Sequence, residues 1–473
     1  MIKKLLSINT VLFPLLALLS TALLMMLSGY YNFGAEGIVF NSIQRLREGL
    51  PYLSGPLDFP LALTTYSPVI SWLLHPFVFF LSPENIILIG TIARIIAVAI
   101  IGLQYLVLRK SKLIPVDSLN LLFFLYITFL PDALLSLKPD SLAFLCEIIG
   151  FVLFQKFLKE DQKKFLVLSS VFLGVGFLSK MNTIGVGLGL GLYLLFERRI
   201  IDLVIFVVAI LTVAIVGFGC FYWLLGDDLI LNLLASTKSY FMFTFDHFIS
   251  TSITMLKLML FPIAIFIYLG WQSFKEKKIE RPISYFLPIV CSFFIAFIGQ
   301  FKIGAFLNYF FGVFLILILL AGPSFQQCIL QTQKKTLLFL SLTSLLFIYH
   351  LIGTGLIAGN NLYYYPWSQV REYLQKQNFA GKIYVPDNNA SLYFWRYNNI
   401  GSSTEVFLEL SPMHSENMKK LTLQLSEMKP FQKAIIVGSN CEKWKPSGIF
   451  AGAIADFVYL EKKFRKICVF RRD

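Results

Sequence analysis

Long apolar runs recur along most of this chain, each near the length at which a helix can cross a bilayer. A spanning helix needs about 20 mostly apolar residues. Runs of this kind cover 6–28, 84–108, 118–137, 140–157, 165–179, 183–196, 200–225, 253–272, 283–299, 304–322 and 336–357. Charged residues make up only 14% of the 473, and hydrophobic residues 57%, whereas a soluble domain carries roughly 25% charged residues. A water-soluble globule of this length could not bury so much apolar surface. A soluble enzyme, a disordered protein and a secreted disulfide scaffold are therefore excluded. The expectation is an all-α polytopic membrane protein with about 11 transmembrane helices.

Three of the apolar stretches need a closer reading. The runs 165–179 and 183–196 are short and meet around Ser179-Lys180-Met181, so they read as a thin hairpin or a re-entrant pair. The stretch Pro68–Leu81 is too short to span and is bracketed by Pro68 and Pro83, so it reads as a helix at the interface. The first run follows Lys3 and Lys4 with no small-x-small cleavage site closing it, and reads as a retained helix.

The net charge of +14 does not point to nucleic acid, because Lys and Arg fall in short clusters between apolar runs. Such clusters set topology: cytoplasmic loops carry the excess of positive charge. With the N-terminus in the cytoplasm, the inner loops hold Arg109, Lys110, Lys112, Lys156, Lys159, Lys163, Lys164, Arg198, Arg199, Lys275, Lys277, Lys278, Arg281, Lys334 and Lys335. The short outer segments hold only Arg45, Arg47, Lys138, Lys180, Lys238 and Lys302. The predicted location is the inner (plasma) membrane, multi-pass, with the C-terminal region outside. Residues 1–357 form the membrane module, with a first outer loop over 29–83, and 358–473 a small extracytoplasmic α/β domain. In that tail Lys382–Val385 and Ala434–Val437 read as strands, Trp367–Gln377 and Glu416–Met428 as helices, and Phe464–Phe470 as a final strand.

The chemistry-bearing residues gather on the outer side. Glu36 follows the first span by a few residues and precedes an amphipathic stretch, Ile38–Leu46, suited to the membrane surface. A carboxylate there can serve as a general base, or join a second one such as Asp58 around a divalent cation (Mg or Mn). No residue is assigned as a metal ligand. Asp140 is placed either to cap a helix N-terminus or to bind substrate. Arg94 and Glu147 fall at matching depths in their spans, which suggests a buried ion pair, or else a role for Arg94 in binding a phosphate. Lys138, Lys180 and Lys302 all sit at outer turns. Gly185, Gly187, Gly189 and Gly191 lie in an apolar run and favour close helix packing over nucleotide binding. No Walker-type loop and no zinc-spaced Cys/His cluster occurs.

These motifs, in order, resemble the GT-C superfamily of membrane glycosyltransferases. The first outer loop shows Glu36-Gly37, then Gly49-Leu50-Pro51-Tyr52, then Tyr66-Ser67-Pro68. Lys138-Pro139-Asp140-Ser141-Leu142-Ala143 is similar to the family's R-P-D-x-L-A signature, and Ser179-Lys180-Met181-Asn182 to its lysine turn. The nearest likeness is to bacterial relatives of protein mannosyltransferases and aminoarabinose transferases. The resemblance implies a GT-C-like fold and an inverting glycosyltransferase, with a polyprenyl-phosphate or diphosphate sugar as donor and transfer at the outer face. The acceptor, whether protein, lipid or glycan, is left open. It implies that Glu36 serves as base or metal-proximal carboxylate; placement on the outer side adds Asp140 as a catalytic candidate, binding substrate or metal beside Glu36, and Tyr52, Asp58, Tyr66, Arg94, Lys138, Lys180 and Lys302 as candidate substrate contacts. One departure is Ala35, where many relatives carry a second acidic residue. The competing readings are a transporter or flippase of lipid-linked glycans and a non-catalytic assembly protein for cell-surface polysaccharide. A transporter would show repeated halves with broken helices at the midplane, and no such halves are evident.

Overall fold

The structure is a computed structural model. It describes residues 67–81, 86–128, 139–230, 245–299, 307–330 and 332–364, with isolated positions in 39–52 and 369–376 and the four strands given below. Eleven α-helices are described. They are α1 (Val69–Val78), α2 (Ile86–Ser111), α3 (Val116–Thr128), α4 (Asp140–Glu160), α5 (Lys163–Ser179) and α6 (Ile184–Phe196). They continue as α7 (Ile200–Leu225), α8 (Phe245–Lys275), α9 (Ile283–Gly299), α10 (Phe311–Cys328) and α11 (Gln333–Tyr364). Short 3-10 turns at Met181–Thr183 and Leu307–Phe310 precede α6 and α10. In hydrocarbon no water can satisfy a free N–H or C=O, so these apolar runs can take only a form that pairs every backbone group internally.

The fold is an all-helical membrane bundle. Among the described residues, the stretches Thr91–Ser111, Asp140–Glu160, Ile200–Leu225 and Phe311–Cys328 are long and apolar enough to cross a membrane. Met181–Phe196 and Ile283–Gly299 are apolar but shorter. The short runs 165–179 and 183–196 form two separate helices. They pack less on each other than on others: α5 lies against α4 and α7, and α6 against α9. The expected first span, 6–28, lies outside the described residues.

Lipid tails are as apolar as leucine, so burial alone does not hold helices together in a bilayer. Close packing and interhelical hydrogen bonds do. Both are visible. Gly185 and Gly189 let α6 meet α9 backbone to backbone: a Cβ at Gly185 would lie 2.5 Å from Ser292 Cα, and one at Gly189 would lie 2.3 Å from Pro288 Cα. The glycine run is thus a packing stripe at these two positions. The amide of Gln155 donates to Ser284 Oγ at 3.1 Å, and Ser273 and Ser324 pair at 2.9 Å. Ser169 Oγ donates to the Gly150 carbonyl at 2.7 Å, tying α5 to α4. Phenylalanines fill the centre, including Phe123, Phe144, Phe151, Phe154, Phe266 and Phe311. Their rings meet edge-on in pairs such as Phe154–Phe206 and Phe144–Phe311, the arrangement that the ring quadrupole favours.

At one end of the bundle the turns after α4 and α6 are clasped together. Asp161 closes α4 in a left-handed conformation (φ +53°). Arg199 bonds both Asp161 and, at 2.6 Å through Nε, Asp202, while Lys163 bonds Asp202. The Arg199 guanidinium also lies 4.6 Å from the centre of the Phe157 ring.

At the other end lies α1. It buries Ile70, Ser71, Leu74 and Val78 and leaves Phe77, Phe79 and Phe80 exposed, as an interfacial helix should. Trp72 meets Phe221 near the end of α7 edge-on at 5.3 Å. Residues 39, 42–43 and 45–47 are helical, as the amphipathic pattern predicts. Arg45, expected among the outer loop charges, is buried.

In the tail, β1 (Ile383–Tyr384), β2 (Ala434–Val437), β3 (Tyr459–Phe464) and β4 (Ile467–Arg471) form one sheet in the order β1-β2-β4-β3. β1 and β2 are parallel, and β4 pairs antiparallel with β2 and β3. The final strand expected over 464–470 is found as β4, which pairs antiparallel with β3, Phe464 lying opposite Ile467. The helix expected at Glu416–Met428 lies outside the described residues.

The α6–α9 contact yields a paired prediction. Gly189→Ala should destabilise the bundle by about 1–3 kcal/mol, as overpacking does, because the new methyl meets fixed backbone. Gly102→Ala, where nothing lies within 4 Å, should change little. Thermal unfolding of the two purified variants in detergent checks the contrast.

Candidate functional site

The site is built from two turns at the end of the bundle that carries α1. Pro139 sits just before α4 with φ −65°, the angle its ring imposes and a helix start accepts. Asp140 therefore becomes the first residue of the helix, where the macrodipole favours a negative charge. The second turn ends α5. Lys180 adopts an extended backbone (φ −155°, ψ 114°), and its N–H donates to the Gly176 carbonyl at 2.9 Å. Its own carbonyl accepts from the Thr183 hydroxyl at 2.8 Å and from the Thr183 N–H at 3.1 Å. These bonds hold the 3-10 turn 181–183 in place.

Packing of α4 on α5 brings the two turns side by side, and the Lys180 ammonium bonds Asp140 Oδ1. Both are largely shielded from solvent, with side-chain exposures of 12% for Lys180 and 5% for Asp140. The ammonium also lies 4.4 Å from the centre of the Tyr309 ring, a cation–π distance. Pro139, at the N-cap, makes no side-chain capping bond, and the Asp140 carboxyl is bonded across to Lys180. Sequence reasoning singled out Asp140 and Lys180 separately and missed Tyr309, which nothing distinguishes among the chain's 21 tyrosines.

Two turns below Asp140, Glu147 is buried at 5% exposure. The expected ion pair with Arg94 is not formed. Among the described residues no hydrogen bond or salt bridge joins them, and Glu147 Oε2 is buried without a hydrogen-bond partner. The reason is placement: the carboxyl packs against α10 at Gly312, where a Cβ would lie 2.4 Å from Oε2. Arg94 is itself buried at 4% and engaged in interactions of its own. A polar chain crosses beside this cluster. Gln104 donates to the Ser141 carbonyl at 2.9 Å and accepts from the Tyr126 hydroxyl at 3.4 Å.

Tyr52 is buried, with its hydroxyl 3.3 Å from Ser71 Oγ on α1. Burial raises its pKa, with the bonds to Ser71 and Ser42 acting the other way. It packs with Leu178 and Phe221, so it ties the loop to α1 and to the ends of α5 and α7. Glu36, Asp58, Tyr66, Lys138 and Lys302 lie outside the described residues. Among the described residues no three His, Cys, Asp or Glu side chains gather as metal ligands. Asp140 is taken up by an ammonium, a poor fit to a divalent cation at that carboxylate.

Residues 65–223 match the family described as dolichyl-phosphate-mannose-protein mannosyltransferase. Both turns of the Asp140–Lys180 pair fall inside this stretch. No curated protein matches the chain. Among solved structures, the fold is similar to that of ArnT from Cupriavidus metallidurans. The crystal structure bound to undecaprenyl phosphate has a TM-score of 0.62 and 13% identity, covering 97% of each chain. The apo form gives 0.60 and 12%, covering 96% of this chain and 97% of that one. The apo oligosaccharyltransferase of Archaeoglobus fulgidus gives 0.53 and 12%, covering 89% of this chain and 69% of that one.

The pair generates a stability prediction. Asp140→Asn or Lys180→Met alone breaks a shielded ion pair and should cost about 3–5 kcal/mol. The double variant removes both charges and should cost less than either single one. Unfolding of the three proteins in detergent measures this order.

Proposed function

We propose that this chain, which has the fold of the GT-C membrane glycosyltransferases, moves a sugar from a polyprenyl-phosphate or diphosphate donor to an acceptor at the outer face of the membrane. The observation that carries the reading is the shielded Asp140–Lys180 pair, held where two turns meet inside the family-matched stretch. The undecaprenyl phosphate bound to ArnT, a protein of the same fold, supports the donor class. The orientation follows from the charge of the loops: the clasped end, with Lys163 and Arg199, faces the cytoplasm, and the Lys180 end faces outward. Residues 358–473 are a separate extracytoplasmic α/β domain, a reading supported by the four-stranded sheet.

In the proposed reaction the acceptor's O–H or N–H gives its proton to Glu36 as the new bond forms to the anomeric carbon. The bond from that carbon to the phosphate oxygen breaks on the opposite side, so the configuration inverts. The lipid phosphate leaves as an anion and needs cations rather than an acid. Lys180 and Arg94 supply positive charge, and Lys138 and Lys302 are assigned to the same task. Asp140 holds Lys180 in place before the phosphate arrives. Tyr52, Tyr66 and Asp58, in the first outer loop, are assigned to the sugar.

Two experiments test this reading. Glu36→Gln preserves shape and removes the base, and transfer from a supplied polyprenyl-phosphate sugar should fall by about 10²–10⁴-fold with insertion unchanged. Nearly normal turnover would dismiss Glu36. Alkaline phosphatase fused after Asp473 should be active and fused at Lys277 inactive, and the reverse pattern would remove an outer-face site.

A further inference from the structure

The clasp at the Asp161 end uses only part of the positive charge gathered there. Lys163 turns to Asp202, and Arg199 to both aspartates. Lys164, the next residue along α5, points about 100° away, one residue's turn of a helix. Its ammonium lies 5.0 Å from the centre of the Phe165 ring. Lys156, on α4, lies 4.1 Å from the centre of the same ring. Both are cation–π distances. Both lysines are exposed, the Lys156 side chain by 48%. Little acid faces them. Glu160 Oε1 stands 3.8 Å from the Lys156 ammonium, beyond hydrogen-bond range. Among the described residues no acid pairs with Lys164.

Beneath the two lysines the surface is apolar. Leu168 and Phe172 follow Lys164 at helix spacing on α5, and Leu153 and Ile149 precede Lys156 at helix spacing on α4. Leu168 is 44% exposed and the other three are half-buried. α4 and α5 pack on each other, and both lysines reach one ring. The two rows therefore border a single furrow, on the flank of the α4–α5 contact away from Asp202 and α7. In a bilayer an acyl chain fills such a furrow, and cations at its head favour a lipid of net negative charge. A choline headgroup carries a cation of its own and cannot offset two more.

We propose that Lys156 and Lys164 form a binding site for an anionic phospholipid, with its phosphate at the two ammoniums and an acyl chain along Leu168 and Phe172. Phe165 is buried, so the ring that gathers the ammoniums is fixed before the lipid arrives. The site is separate from the Asp140–Lys180 pair. Asp140 and Lys156 lie 16 residues apart on one helix, about 24 Å along its axis. The lipid site does not rest on the transfer reaction. The orientation proposed above makes its leaflet the cytoplasmic one.

The test uses the full chain purified in detergent, with phospholipid added back and binding read by native mass spectrometry. The wild-type chain should bind phosphatidylglycerol about 10-fold more tightly than phosphatidylcholine of the same acyl chains. Lys156→Gln/Lys164→Gln should erase that preference by weakening phosphatidylglycerol alone. Lys334→Gln/Lys335→Gln, which removes two exposed lysines at the start of α11, should leave it intact. Equal binding of the two lipids by the wild-type chain would overturn the proposal. So would a preference that survives the first pair of substitutions or falls equally with both pairs. Glycerol 3-phosphate, offered as a competitor, separates a lipid site from a free-phosphate site. It should fail to displace the lipid at equal concentration, and displacement there would overturn the assignment to a lipid.

Discussion

The bond between Lys180 and Asp140 is the contact on which this end of the molecule depends. It joins the start of one helix, α4, to the end of the next, α5. Taking two charges out of water is costly, and their attraction offsets that cost only with good geometry and further partners. Here the partners are the Tyr309 ring and the positive end of the α4 dipole. A surface ion pair would contribute little and would move freely. A shielded one holds two turns in a single arrangement.

The rest of the bundle serves that arrangement through close contact rather than through charge. Gly185 and Gly189 bring α6 against α9, and α9 ends beside Tyr309, whose ring fills the space next to Gly299. Lys180 is therefore positioned from both directions of the chain. α4 presents Asp140, and the turn before α10 presents Tyr309. Tyr52 and α1 close the same end from the loop side, through Ser71 and Phe221.

Much of this was legible in the sequence, for physical reasons. Helix bounds such as 283–299 and 200–225 follow the apolar runs, because the bilayer punishes any other backbone form. Asp140 and Lys180 were visible as polar residues at turns between apolar runs. What escaped was partnership across the bundle. Depth counted along a span pointed Glu147 toward Arg94, but depth does not say which face a residue occupies. The seven-residue spacing from Asp140 carried that information and put Glu147 on the face of Asp140. Tyr309 gave no signal, since its role comes only from α10 folding beside α4.

The clasp at the opposite end, where Arg199 and Lys163 are bound to Asp161 and Asp202, places the acids and bases in one small neighbourhood. Positive residues bias the direction of insertion, while acidic ones contribute little. The membrane-insertion machinery therefore reads Lys163 and Arg199 as if the two aspartates were absent. Only afterwards, when α4, α5 and α7 have come together, do the aspartates take up those charges. The same cations thus act twice in the life of the chain, first as an address and then as a fastening.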